Sequence, residues 1–141
     1  MMPETEKWLP DANTILRYLL NDDVELTAKA TEFWESVREG KRTALLREGV
    51  LLECVYVLQR FYKVPRVSIA VKLRALLAYK GLLATEADIL DQSLELYGRE
   101  TLDYVDCLLF TSALRDQGRL FSFDKKLNRL MTSAKEGFAE P

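Results

Sequence analysis

The stretch "KWLPDANTILRYLL", Lys7 to Leu20, decides how this chain is read. Trp8-Leu9 reads as the end of a short strand. From Ala12 onward, Ile15, Leu16, Leu19 and Leu20 recur at helical spacing. Asp11 stands at the joint, with Asn13 two residues on. A carboxylate placed where a strand stops and a helix starts lies on the rim of a sheet. In open α/β sheets that rim is where ligands bind.

Outward from this joint the same grammar repeats. Val24 to Glu39 carries Leu26, Ala30, Phe33, Trp34 and Val37 on a helical period, with Gly40 as its stop. Arg42 to Leu46 is a short strand. Glu48 to Tyr62 is apolar on most sides and long enough to be a buried helix. Pro65 breaks the chain before an amphipathic helix over Val67 to Tyr79, and Gly81 to Ala84 offers another strand. Thr85 and Asp88 form a capping-box pattern for a helix to about Tyr97. Asp103 opens a helix that ends near Gly118. Arg119 to Phe123, "RLFSF", is the clearest strand, and Asp124 then caps a short helix through Leu130. The tail "KEGFAEP" is open to an edge strand or to loose chain. Strands alternating with helices, with no hairpin signal between them, require crossovers and a mostly parallel sheet. The expectation is one α/β domain over residues 1–141 around four to five strands.

Composition narrows the chemistry. An apolar fraction of 48% in 141 residues supports a real core. No stretch approaches the roughly 20 apolar residues of a membrane span. "MMPETEKW" is acidic and polar, unlike a signal peptide. Two cysteines, Cys54 and Cys107, make no disulfide framework, so a reduced, cytoplasmic home is the simplest expectation. A net charge of −2 argues against bulk polyanion binding by charge alone. There is no histidine. That removes Ser-His-Asp and Cys-His nucleophiles, paired-histidine ribonuclease chemistry and N/S zinc sites. Polar chemistry must come from carboxylates, hydroxyls, Lys/Arg or a bound cofactor.

Four acids fit that demand. Asp11 and Asp124 each follow a predicted strand, and so share a rim. Glu53 lies in the apolar helix between Leu52 and Cys54. Asp106 lies in the first turn after Asp103, where the helix terminus favours a carboxylate. Such acids repel one another unless a cation offsets them. Mg2+ takes oxygen ligands, and one or two such ions support in-line displacement at phosphorus. Each acid has a plainer reading too. Asp11, Asp103 and Asp124 also suit helix N-caps, and Glu53 suits an arginine partner. Cys54 and Cys107 follow key acids. Neighbouring helix residues point about 100° apart, so both cysteines read as core.

The stretches "LPDANTILRYLLNDD", "REGVLLECVYVLQRFY", "ETLDYVDCLLFTSALRDQG" and "LFSFDKKLNRL" carry a resemblance over nearly the whole chain. In this order they resemble the PIN-domain ribonucleases, and within them the VapC-like toxins of toxin–antitoxin pairs. The resemblance implies a three-layer α/β/α domain with a central parallel sheet. It implies an acidic quartet of Asp11, Glu53, Asp106 and Asp124, with Asp103 as an additional acid. Asp11, Asp106, Asp124 and Asp103 would be metal ligands, with Glu53 as ligand or orienter of the attacking water. Asn13 and Ser122 would be polar helpers. Ser122 stands where the family often has threonine, and Pro10 before Asp11 departs from the usual strand residue and shortens the first strand. It further implies Mg2+ or Mn2+, RNA as substrate, a homodimer, and a cognate antitoxin.

Arg17, Lys125 and Lys126 are candidate phosphate contacts, though solvated surface charge explains them equally. The apolar surfaces of "LLECVYVLQRFY" and of the Val67 to Tyr79 helix suit the dimer and an antitoxin groove. Two other functions compete. A phosphoaspartyl hydrolase also begins with an aspartate after its first strand, but needs an acid two residues on, where this chain has Asn13. A PIN-like binding module without turnover would be expected to lose acids that this chain keeps.

Overall fold

The structure, a computed structural model, describes residues 6–21 and 24–139. The first five residues, Asp22-Asp23 and the last two residues of the tail lie outside the described residues. The order is β1 (Lys7–Trp8), α1 (Ala12–Leu20), α2 (Val24–Arg38), β2 (Thr43–Leu45), α3 (Glu48–Arg60), α4 (Arg66–Leu77), β3 (Leu82–Leu83), α5 (Ala87–Arg99), α6 (Tyr104–Arg115) and α7 (Lys125–Ala139).

Among the described residues the sheet has three strands in the order β1-β2-β3, all parallel. Lys7 pairs with Thr43, Trp8 with Ala44, and Leu45 with Leu83. Parallel neighbours need crossovers, so α1 and α2 link β1 to β2, and α3 and α4 link β2 to β3. Gly81 makes the last crossover possible. A Cβ there would stand 2.0 Å from the Arg42 carbonyl oxygen. The Gly81 amide instead donates to the Val37 carbonyl at 2.8 Å, and its own carbonyl accepts from Ala44 at 2.9 Å. Only glycine permits so close a backbone approach.

The core collects Ile15, Trp34, Leu51, Leu58, Ile69, Leu73, Leu94, Tyr97 and Leu127, all essentially inaccessible to solvent. Cys54 and Cys107 are buried within it, free and unbridged, as core residues should be. Around Tyr18 a polar clasp fixes α1. Its hydroxyl donates to Glu35 Oε2 at 2.6 Å and accepts from the Tyr79 hydroxyl at 2.6 Å, while its ring stacks on Trp34. Burial and the Glu35 carboxylate hold the Tyr18 phenol far above its ordinary pKa, so it remains a donor. α1 therefore starts from a fixed place, and Asp11 with it.

Three expectations need correction. The four- to five-stranded sheet has three strands among the described residues, because Arg119 to Phe123 forms no ladder. Leu120 packs on the core, but Phe121 and Phe123 stand 92% and 91% exposed. Local bonds compete with pairing there. The Ser122 carbonyl accepts from Asn128 Nδ2 at 2.8 Å, and Ser122 Oγ accepts from the Asp124 amide at 3.0 Å. Next, the capping box at Thr85 does not form. The N-cap of α5 is Glu86, in a left-handed conformation with φ 57° and without a side-chain cap. Finally, α7 runs past Leu130, and its turns through Ala139 replace the edge strand considered for the tail. Leu127 and Met131, one turn apart, are buried, and that contact carries the helix onward.

Candidate functional site

Three parallel strands end on one rim, and Asp11 follows β1 there after Leu9 and Pro10. Proline has no amide proton to extend the ladder, which is consistent with a β1 of two residues. Asp11 is the N-cap of α1. Its Oδ1 accepts from the Thr14 amide at 3.1 Å, and its carbonyl accepts from the Thr14 hydroxyl at 2.9 Å. The cap uses one carboxylate oxygen and leaves the exposed group with further acceptor capacity.

Asp124 repeats this device at α7. Its Oδ1 accepts from the Leu127 amide at 2.8 Å, and its carbonyl accepts from Asn128 at 3.1 Å. Both aspartates are thus caps, and the plainer reading of each is correct as far as it goes. Asp103 differs. It occupies the N-cap position of α6 with extended backbone, yet its side chain makes no capping bond. Its carboxylate is not committed to the helix.

Asp106 sits one turn into α6 and is partly buried. Burial raises its carboxyl above the ordinary carboxylate range, and the negative charges of Asp103 and Asp124 raise it further. These three acids therefore share one electrostatic neighbourhood. Asp11 and Glu53 share another. Both press on the buried Cys54 thiol, which burial pushes up to about 12, and Cys54 Sγ lies 4.0 Å from the Ala12 carbonyl oxygen. Glu53 itself is exposed on α3. Among the described residues it makes no ion pair, so the arginine partner considered for it is not found. Helix packing joins the two neighbourhoods, since α1 packs on α3, α3 on α6 and α6 on α7.

The polar helpers fall into two groups. Asn13 and Arg17 line a cavity beside Asp11, with Trp8, Lys29 and Phe33. Ser122, Lys125 and Lys126 flank Asp124. Ser122 orders the backbone as described, Lys125 is exposed, and Lys126 Nζ donates to the Thr101 hydroxyl, tying the start of α7 to the loop before α6. Sequence reasoning missed Arg66. Its Nε donates to the Tyr97 carbonyl at 2.9 Å, a second nitrogen donates to the Leu102 carbonyl, and the guanidinium covers the Tyr97 ring. It thereby anchors the residue just before Asp103. Nothing local to Arg66 signals this, because its partners lie more than thirty residues away.

The donor chemistry suits a hard cation. Every candidate ligand is a carboxylate oxygen, the choice of Mg2+ and Mn2+ over softer metals, and a nearby cation would reverse the rise at Asp106. Among the described residues, no three acidic or thiol side chains stand close enough together to hold an ion as they are. The fit is one of donor chemistry.

No helix among the described residues is long and apolar enough to cross a membrane. Searches of curated proteins and of solved structures find no match to this chain. A family model described as the PIN domain matches residues 8–131, a span that takes in Asp11, Glu53, Asp103, Asp106 and Asp124. The chain therefore belongs to the PIN-domain family, whose members are in general nucleases.

Proposed function

We propose that this protein is a metal-dependent endoribonuclease, the VapC-like toxin of a toxin–antitoxin pair. One observation carries the reading: in a chain without histidine, the partly buried Asp106 feels the negative charges of Asp103 and Asp124, a repulsion that a divalent cation would relieve. Asp11, Asp103, Asp106 and Asp124 would hold Mg2+ or Mn2+. Such an ion, when bound, supplies a water nucleophile at neutral pH and offsets charge developing at the phosphoryl group.

The chain's own residues do the rest. Glu53 is free to orient and accept a proton from the attacking water, being exposed and unpaired among the described residues. Lys125 and Lys126, beside Asp124, would meet phosphates of the RNA, and Arg17 would do so beside Asp11. Ser122 and Asn13 would hydrogen-bond near the reacting phosphate. For partners, the proposal adds a second copy of the chain and a cognate antitoxin. Tyr56, Phe61, Val67 and Val71 are exposed on α3, the turn after it, and α4, an apolar surface suited to association. Free, buried cysteines agree with a cytoplasmic setting.

The test is cleavage of end-labelled single-stranded RNA with Mg2+, with Mn2+ and with chelator. Metal-dependent fragments that vanish in Asp11→Asn and Asp124→Asn support the reading. Full cleavage in excess chelator overturns the metal mechanism. A folded protein with neither cleavage nor metal binding by calorimetry is a PIN-like binding module instead. Light scattering at micromolar concentration reads the dimer, and a monomer there refutes that part.

A further inference from the structure

The segment that leads into Asp124 carries a feature that metal binding does not require. Residues 119–123 form no ladder, yet their burial alternates as in an extended chain. Leu120 packs on the core and Ser122 is half-buried, while Arg119, Phe121 and Phe123 face solvent. The two phenyl rings meet at 5.5 Å between centroids and 65° between planes. Both are almost wholly exposed, although an apolar ring gains free energy only by leaving water. Charge is gathered around them. Residues 119–129 hold four cations, Arg119, Lys125, Lys126 and Arg129, against one acid, Asp124, in a chain of net charge −2. Among the described residues none of the four cations is in an ion pair, and Lys126 donates to the neutral Thr101 hydroxyl. Lys125 and Arg129, four residues apart on α7, share one face of that helix.

We propose that Phe121 and Phe123 are a stacking platform for bases of single-stranded RNA, whose phosphates meet the cations flanking the two rings. The inference rests on the nuclease reading and names where its substrate is gripped. Single strands are bound by stacking base faces on aromatic rings while cations track the backbone. Phe123 adjoins Asp124 in the chain, so a base stacked there brings its phosphate toward the acids. A partner strand is the other occupant that an exposed extended segment suits. It would need the backbone of this segment, where the Ser122 carbonyl and the Asp124 amide are already bonded, to Asn128 and to the Ser122 hydroxyl. An apolar protein surface would cover the rings, but it would have to strip water from the cations beside them.

The test reads binding to the whole chain in chelator at low salt, where metal-dependent cleavage does not interfere. The probes are an end-labelled hexaadenylate and a hexamer of the same ribose-phosphate chain without bases, compared by fluorescence anisotropy. Wild type should bind the base-bearing hexamer about tenfold more tightly, on the scale of one stacked base. The double variant Phe121→Ala, Phe123→Ala should lose that difference. The double tyrosine variant keeps both rings and should retain it, whereas the double leucine variant, apolar but without a π face, should not. All these positions are exposed, so the fold should survive each change. Lys125→Ala should weaken both hexamers alike and lower the salt slope by about one.

Equal affinity of wild type for the two hexamers overturns the platform, because charge alone would then account for binding. A double leucine variant with wild-type preference also overturns it, since apolarity without a ring would suffice. So does a double alanine variant that binds like wild type but changes its mass in light scattering, which assigns the rings to a contact between copies. Base-dependent binding without any Mg2+-dependent cleavage leaves the platform standing and removes the nuclease reading. Cleavage without base-dependent binding does the reverse.

Discussion

Arg66 lies with its guanidinium carbon 3.8 Å from the centroid of the Tyr97 ring, while its Nε donates to the carbonyl of that same residue at 2.9 Å. With the further bond to the Leu102 carbonyl, this contact staples the first turn of α4 to the chain that delivers Asp103 and Asp106. Lysine cannot reproduce a planar fork that stacks and bonds two carbonyls at once. Arg66→Lys should cost about 1–3 kcal/mol of stability, the range for a charged hydrogen bond whose partners lose it. If Arg66 also positions the acids, the variant should bind Mg2+ more weakly by calorimetry. A lower melting temperature with unchanged Mg2+ affinity confines Arg66 to the fold.

Asp124 is both cap and candidate ligand, and two substitutions separate the roles. Asparagine caps helices about as well as aspartate, so Asp124→Asn should change stability by less than about 0.5 kcal/mol. Alanine cannot accept from the Leu127 amide, and Asp124→Ala should lose about 1 kcal/mol. Cleavage should fail in both. Retained cleavage in Asp124→Asn makes the cap the whole role of Asp124.

Asp106 gives a pH signature. Its folded pKa is raised, by burial first and then by Asp103 and Asp124. The folded state therefore holds the proton more tightly than the unfolded state does. Stability falls as pH rises from the ordinary carboxylate value of about 3.9 through the raised folded value, and the penalty is complete above it. Asp106→Asn removes the penalty. In chelator at neutral pH it should melt higher than wild type, by less than about 1 kcal/mol, since solvent screens a partly exposed charge. The gain should vanish well below pH 4, where the wild-type acid is protonated. Mg2+ should stabilise wild type by mass action and the variant much less. A variant that melts lower in chelator, with an equal Mg2+ response, makes Asp106 a helix-end acid and nothing more.

The two thiols should be inert in the native protein. Burial is the main cause that pushes both Cys54 and Cys107 up to about 12, so almost no thiolate exists at pH 8. A thiol reagent at that pH should find neither cysteine in buffer and both in denaturant. Fast reaction of one would show that α3 or α6 opens locally.

Local pattern was enough for much of this protein. The helical periods over Ala12 to Leu20, Glu48 to Tyr62 and Val67 to Tyr79 match α1, α3 and α4 to within two residues, because each period records the one face that must be buried. The parallel α/β arrangement followed from alternating strands and helices, and family membership over residues 8–131 agrees with the motifs around the acids. Asp11 at the end of a strand was legible for the same reason, since one chain segment contains both the strand and the cap.

Where elements must find distant partners, local pattern gave less. "RLFSF" alternates like a strand, yet a strand exists only if a neighbour accepts its ladder. Ser122 bonds locally to Asp124 and Asn128 instead. Arg66 shows its role only when Tyr97 and Leu102 arrive beside it, and the Trp8–Phe33 contact forms only when α2 folds back over β1. Periodicity, caps and acids are written along the chain, within the few residues that one turn or one strand spans. Which acids feel one another, which aromatics meet and which strand stays unpaired depend on contacts between residues remote in sequence, and those the packing of the helices on the sheet decided.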